Sequence, residues 1–408
     1  MFSFRTTPLL EQPDLVLKSG KIALLCNQTA WHPDTGEYLF ETLYKKGVLK
    51  RVFMPEHGLF GELQDQIKLD KTEIYSNLGV EGCEFVSLYG SNEETLDAQV
   101  SQLTDIDALV IELQDVGSRY YTFHTTIFNL FKILKKHDIN LPVYIVDRIN
   151  PAGRQVEGTM LKEEYSSFIG IPGILHRHGL TTGEISLLFY NELYAKFPLH
   201  IISYEAERVN KDLLPWSISP SPNIPGLFTT HFYSGQCLWE GTNVSEGRGT
   251  TRPFELFGAP FMENLASFNN KNRYNNWNDI NNPIYEPNIY VRWTKFIPIF
   301  HKYKDETCFG FQLHPVPGLN YHALAHNLKI MQFVASNCEE FEFRKGKYEA
   351  GNDKTAIELL AGDQLLLEWL NNKASWEDVT EHMKVEEQKW IRKAKKILLY
   401  ETPLFRCK

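Results

Sequence analysis

Ala108-Leu-Val-Ile-Glu-Leu-Gln-Asp-Val-Gly-Ser-Arg119 runs from a short apolar stretch straight into a polar turn. Its apolar residues are consecutive rather than alternating, which suits a strand buried on both faces of a parallel sheet. Similar runs occur at Lys21–Cys26, Leu49–Met54, Cys83–Tyr89 and Val143–Val146. Between them, Glu37–Lys46, Glu94–Leu103 and Tyr121–Lys136 have helical spacing. A further helix over Thr182–Ala195 leads to a strand at His200–Tyr204. Strands and helices in this alternation predict βαβ units, hence an α/β fold built on a doubly wound parallel sheet.

Ligands of open α/β sheets bind outside the carboxyl ends of the strands. Here the strands exit into Asn27-Gln-Thr29, Pro55-Glu-His-Gly58, Tyr89-Gly-Ser91, Glu112–Arg119 and Asp147-Arg-Ile-Asn-Pro151. Three of these exits carry a carboxylate with a histidine or an arginine, and they converge on one rim. Each also has a structural reading. Glu56 suits a turn cap, Asp115 a turn or cap before the helix near Tyr120, and Asp147-Arg148 an internal ion pair. Thr181-Thr-Gly-Glu184 is a capping box, which accounts for Glu184 and leaves His178 for a ligand.

The texture changes after Trp216. Pro220-Ser-Pro-Asn-Ile-Pro225 is a rigid turn segment, followed by a glycine-rich stretch and an Asn-rich loop, Asn269–Asn282. Strands are expected at Ile289–Ile299 and Cys308–Leu313, and helices near Tyr321–Val334, Lys354–Asn371 and Trp376–Leu399. The division is an α/β domain over 1–230 and a smaller α+β domain over 231–408.

Composition narrows the function. The 408 residues are 43% hydrophobic and 23% charged, as in ordinary globular proteins. With 51 acidic against 42 basic residues the net charge is −9, which argues against a nucleic-acid partner. The six cysteines are scattered with no CxxC pair, so free, mostly buried thiols are expected. No apolar run approaches the ~18 residues of a membrane span, and Met1–Lys21 contains no stretch of signal-peptide length. The expectation is a protein with no membrane span, cytoplasmic as the sequence stands and periplasmic or secreted if the N-terminus is trimmed. Asn27-Gln-Thr-Ala-Trp31 stands where a dinucleotide fingerprint would follow the first strand, and there is no P-loop, so no cofactor is expected. His57, His124, His176 and His178 lack HExxH spacing, so no metal is expected either. A rim of carboxylates and arginines without a Ser or Cys nucleophile motif is the equipment of a cleft enzyme acting on a sugar.

Several motifs lie on this rim and beyond it. They are Pro55-Glu-His-Gly-Leu-Phe-Gly61, Ser87-Leu-Tyr-Gly90, Gln114-Asp-Val-Gly-Ser-Arg-Tyr-Tyr-Thr122, Asp147-Arg-Ile-Asn-Pro151, Arg177-His-Gly-Leu-Thr181, Ser221-Pro-Asn-Ile-Pro225 and Glu240-Gly-Thr-Asn-Val-Ser-Glu-Gly-Arg-Gly-Thr250. In that order they resemble the NamZ-type exo-β-N-acetylmuramidase family. The resemblance implies a Rossmann-like N-terminal domain, a smaller C-terminal domain and an active-site cleft between them. It implies release of N-acetylmuramic acid from the non-reducing ends of peptidoglycan fragments, disaccharides or muropeptides, in cell-wall recycling. Carried over by position, Glu56 becomes the catalytic carboxylate, with Asp115 as the second. The same carry-over places His57, Gln114, Arg119, Arg148, His178, Asn223, Glu240 and Arg248 in or near the pocket. Glu112 stands where the family pattern has Asp, and Ile149 interrupts Asp-Arg-Pro-Asn-Pro.

Chemistry agrees with that assignment. Muramic acid carries a lactyl carboxylate, which a bidentate arginine reads, and Arg248 between two glycines ranks first. Glu56 would protonate the leaving oxygen. Asp115 would orient the 2-acetamido group, activate water or attack directly, and the residues leave these three open. Two other functions fit the same motifs: a non-catalytic muropeptide-binding protein, and a metal-dependent deacetylase using His57, His178 and Asp115.

Overall fold

The computed structural model describes residues 20–32, 35–64, 75, 77–89, 98–203, 218–267, 277–316, 320–348, 352–401 and 403–407. The readings of residues 1–19, of 90–97, of 204 and 216, and of 268–276 in the Asn-rich loop lie outside them. The strands in chain order are β1 Ile22–Cys26, β2 Trp31–His32, β3 Glu37–Tyr38, β4 Leu49–Met54, β5 Glu84–Ser87, β6 Ala108–Glu112 and β7 Val143–Val146. They continue with β8 Gln155–Met160, β9 Leu175–Arg177, β10 Leu199–Ile202, β11 Leu256–Ala259, β12 Ile289–Phe296, β13 Cys308–Pro315 and β14 Phe405–Arg406.

Six of them form one sheet in the order β10-β7-β6-β1-β4-β5, every pair parallel. All five residues of β1 are fully buried. Alternate residues serve different faces. Ala23 and Leu25 join a cluster with Ile127, Phe131 and Leu188 from the helices Phe123–Lys136 and Thr182–Glu192. Ile22, Leu24 and Cys26 join another with Leu39, Phe40 and Leu43 from the helix Leu39–Lys45. Helices on both faces are the reason the strands read as unbroken apolar runs. The chain builds outward from β1 to β4 and β5, then returns to β6 on its other side. The order reverses between β1 and β6, and that crevice is the topological switch point.

Among the described residues three smaller sheets accompany the large one, one of them the two-stranded β2-β3 pair. β11-β13-β12 is antiparallel, and β14-β8-β9 brings the chain's last strand back beside residues 155–156. The larger apolar cluster runs continuously from Ala23 to Leu404, so both halves of the chain share it. Several expected elements differ in detail. Lys354–Asn371 is two helices, Ala356–Ala361 and Gln364–Leu370, because Gly362 adopts a left-handed φ of 57°. Residues 37–38 pair as a strand before the helix begins at Leu39. β8, β9, the helix Leu227–Gln236, β11 and β14 have no counterpart in the sequence reading. All six cysteines are free, and five are buried. Among the described residues, no helix is long and apolar enough to cross a membrane.

Candidate active site

Glu56 lies two residues past β4, on the switch-point side of the sheet. His57 follows with a φ of 74°, outside the range most side chains tolerate, and turns the chain sharply. The turn is closed by Leu63 N–H on the His57 carbonyl at 3.1 Å and by His57 Nδ1 against the Leu63 carbonyl at 2.9 Å. His57 therefore holds the loop that carries Glu56. The carboxylate is buried, and Thr122 Oγ1 donates to its Oε2 at 2.7 Å. Among the described residues, Oε1 has no hydrogen-bond partner.

Asp115 arrives from the other side of the switch point, three residues past β6. Its Oδ1 accepts the Gly117 N–H at 2.5 Å, the turn role open to it from the sequence. Gly117 has a φ of 82°, and a Cβ there would come within 2.3 Å of the Asn150 side chain, so only glycine fits. Residues 117–119 then pair with the strand beside them, His178 N–H to the Gly117 carbonyl and Arg119 N–H to the His176 carbonyl. That pairing sets His178 next to Asp115, with Nε2 at 3.8 Å from Oδ1. His124, in the first turn of its helix, puts Nε2 at 3.1 Å from Oδ2.

Ligand atoms of Asp115, His124 and His178 lie within 4.8 Å of one another, close enough for a metal ion by distance alone. The hydrogen bonds oppose that use. Leu180 N–H donates to His178 Nδ1 at 3.1 Å, so Nε2 carries the proton and offers a donor rather than a lone pair. The set expected for a deacetylase is not assembled, because His57 is engaged with Leu63 and His124 stands in its place.

Burial pushes the Tyr121 phenol well above the ordinary range; a Ser221 hydrogen bond opposes this, the charges of Asp115 and Glu56 add to it, and that of Arg248 opposes it. Arg248 comes from the second half of the chain. Its Nη2 donates to Glu240 Oε1 at 2.7 Å, its Nε lies 3.3 Å from Glu246, and its guanidinium sits 5.0 Å from the Phe254 ring centroid. Glu240 also accepts from Tyr348 at 2.6 Å, and Glu246 from Lys302 at 2.9 Å. These cations hold the buried Glu246 carboxyl far below the usual carboxylate range against the burial that would raise it. Gly249 permits the loop because Phe300 N would lie 2.4 Å from a Cβ there.

The remaining expected residues hold the walls. Gln114 donates to the carbonyls of Asp115 and Ile149, tying two strand-end loops together. Asn223 donates to Gln64 at 2.8 Å. Arg119 is buried and bonded within the protein. Its guanidinium donates to the carbonyls of Thr159, Leu360 and Ala361 and meets His176 Nε2, which ties the two halves of the chain. Asp147 is not paired with the Arg148 guanidinium. It accepts from Gly183 N–H and Thr181 and so anchors the helix after His178. Glu184 completes the capping box and pairs with Arg154. The sequence reading did not single out Thr122, Tyr121 or His124 for the site, although the first two sit inside a motif it quoted.

Arg148 reaches the switch point, donating to the Thr29 carbonyl and lying 3.3 Å from Glu112. Among the described residues neither Glu112 oxygen has a hydrogen bond. Burial raises its carboxyl to about 7 against the pull of Arg148. A raised acid stabilises the fold least when ionised, so stability falls as pH rises from about 4.5 to 7. Glu112→Gln abolishes that slope. In urea melts the variant is expected to gain about 3 kcal/mol relative to wild type between pH 4.5 and pH 8. An unchanged difference across that interval contradicts the assignment.

The described geometry has counterparts among known proteins. A family model described as exo-beta-N-acetylmuramidase NamZ, N-terminal, matches residues 22–227, and its C-terminal companion matches residues 231–400. A Bacillus subtilis (strain 168) protein named peptidoglycan beta-N-acetylmuramidase NamZ is 30% identical over 392 residues, which cover 94% of this chain and 88% of that one. Two crystal structures of DUF1343 family proteins from Bacteroides fragilis NCTC 9343 share the fold. One has a TM-score of 0.78 at 24% identity, with 97% of this chain and 99% of that chain covered. The other has 0.70 at 22%, with 97% and 98% covered. With both family models matched in order and the relative aligned almost end to end, this chain belongs to the exo-beta-N-acetylmuramidase NamZ family.

Proposed function

We propose that the Glu56–Asp115 cleft is the active site of an exo-β-N-acetylmuramidase, a glycoside hydrolase that releases N-acetylmuramic acid from the non-reducing ends of peptidoglycan fragments. Membership of the family and the printed activity of the Bacillus subtilis relative support the reaction. The observation that carries the site is the pair of buried carboxylates, Glu56 and Asp115, that β4 and β6 deliver to opposite sides of the switch point.

Glu56 is the general acid. Thr122 fixes Oε2, and Oε1 delivers a proton to the glycosidic oxygen as the C1–O bond breaks. Asp115 orients the 2-acetamido group. The Gly117 N–H holds its Oδ1, while Oδ2, 3.1 Å from His124 Nε2, has no hydrogen-bond partner among the described residues, which suits accepting an amide N–H. The acetamido oxygen closes on C1 while the aglycone leaves with the proton of Glu56. Water then opens that intermediate and returns a proton to Glu56. Arg248 reads the lactyl carboxylate. That group is attached beside the acetamido carbon, so its reader has to lie near Asp115, and Tyr121 feels both charges. The natural substrates are disaccharides or muropeptides of peptidoglycan turnover.

The test compares nitrophenyl N-acetylmuraminide with the matching N-acetylglucosaminide, each with and without a chelator. Release from the muraminide alone, unaffected by chelator, is expected. Binding without release would instead make the protein a muropeptide binder, and loss of activity with chelator would restore the metal-dependent reading.

A further inference from the structure

The sheet β11-β13-β12 packs one face into the large apolar cluster, where Phe257, Phe311 and Trp293 lie. The alternate residues point the other way. On that side Tyr290 stands opposite His314 and Arg292 opposite Gln312, with Thr294 next along β12. Tyr290 and Arg292 are exposed, and Gln312, His314 and Thr294 are half-buried.

Arg292 Nε donates to His314 Nε2 at 3.2 Å, Nη1 to Thr294 Oγ1 at 3.4 Å, and Nη2 to the Gln312 side-chain oxygen. None of these partners is an acid. Burial first, then the charges of Arg292 and Arg252, hold the His314 imidazole below its usual range. Arg51, Arg154, Arg248, Arg252 and Arg406 each pair with a carboxylate. Among the described residues Arg292 has no ion pair. Three of its five N–H groups are spent, and the other two are left for an anion.

This face begins beside the Arg248 loop. Ser245 and Gly258 exchange backbone hydrogen bonds of 2.8 and 2.9 Å, and a Cβ on Gly247 would meet the Leu256 Cβ at 3.1 Å. Leu256 stands opposite Gln312, and Gln312 opposite Arg292. Neighbouring strands are about 4.8 Å apart, so Arg292 stands two strands, about 10 Å, from the residue against which that loop rests.

Every second sugar of a peptide-free peptidoglycan glycan is a muramic acid with a free lactyl carboxylate. We infer that the face around Arg292 binds the glycan beyond the scissile bond, its guanidinium taking the lactyl carboxylate of the next muramic acid residue. The inference rests on the proposed substrate and adds a preference for longer glycans over the disaccharide.

Its test uses the full chain. kcat/KM for release of N-acetylmuramic acid is measured on a peptide-free disaccharide and on the tetrasaccharide of two such units, both ending in N-acetylmuramic acid, at low and at high salt. Wild type is expected to favour the tetrasaccharide about fivefold at low salt, the upper end for an exposed ion pair, and less as salt screens the charge. Arg292→Gln, checked for folding by thermal melts, is expected to lose that preference and keep the wild-type rate on the disaccharide. A wild type without the preference, or a folded Arg292→Gln that retains it, overturns the inference alone. A wild type that releases nothing from either substrate overturns the reading of the site, and this inference with it.

Discussion

Glu56→Gln is expected to lower kcat on a natural disaccharide by about 10²–10⁴-fold, the range of general acid–base catalysis, while the protein stays folded. Gln keeps the shape and still accepts the Thr122 hydrogen bond through its amide oxygen, so the turn closed by His57 and Leu63 is unaffected. What is lost is the transferable proton on Oε1. A nitrophenyl aglycone leaves with little protonation, and for that substrate the loss is expected to be much smaller. A nucleophile behaves differently, because its removal damages both substrates alike. Steady-state rates on the two substrates therefore separate the roles, and near-normal turnover of the disaccharide would move the chemistry to another residue.

Arg248 gives the second large effect, and its surroundings determine how to measure it. Truncation to Met removes the guanidinium that pairs with the buried Glu240 and Glu246, and breaking a buried pair costs about 3–5 kcal/mol of stability. A lost activity in that variant would say little about the substrate. Arg248→Lys keeps the charge for both carboxylates but cannot make a bidentate contact. The rate ratio of muraminide to glucosaminide is expected to fall about 10–100-fold, the worth of a charge-assisted hydrogen bond at about 1.5–3 kcal/mol. The glucosaminide lacks the lactyl group, so its own rate should hardly change. An unaltered ratio in a folded Arg248→Lys protein places the carboxylate reader elsewhere, with Arg148 next in line.

The sheet was legible because burial on both faces leaves no polar interruption in Ile22–Cys26, Ala108–Glu112 or Val143–Val146. β8 was not, because Gln155–Met160 contains Glu157, an unusual residue for a largely buried strand. Glu157 is accommodated by the N–H groups of Ala323 and Leu324, which are remote in the chain and silent in local pattern. The helix Leu227–Gln236 was hidden by its Thr-Thr pair and by Gly235, whose closeness to the Ala323 carbonyl is again a long-range fact.

The site divides the same way. Glu56 and Asp115 stand at strand ends, and strand ends can be located from periodicity. Arg119 sits in the same motif, but the carbonyls of Leu360 and Ala361 that occupy it belong to a helix far along the chain. His124 lies inside an amphipathic helix, where a histidine carries no positional signal until the fold sets it against Asp115. Strand-end positions were readable; the residues packed around them were not.

The most direct measurement uses two peptidoglycan glycans that differ only at the non-reducing end, one ending in N-acetylmuramic acid and the other capped by N-acetylglucosamine. Wild-type protein is incubated with each and the products are identified by mass spectrometry. The account predicts free N-acetylmuramic acid from the first glycan and no product from the second. Cleavage inside the capped glycan, or release of N-acetylglucosamine from its end, would contradict it.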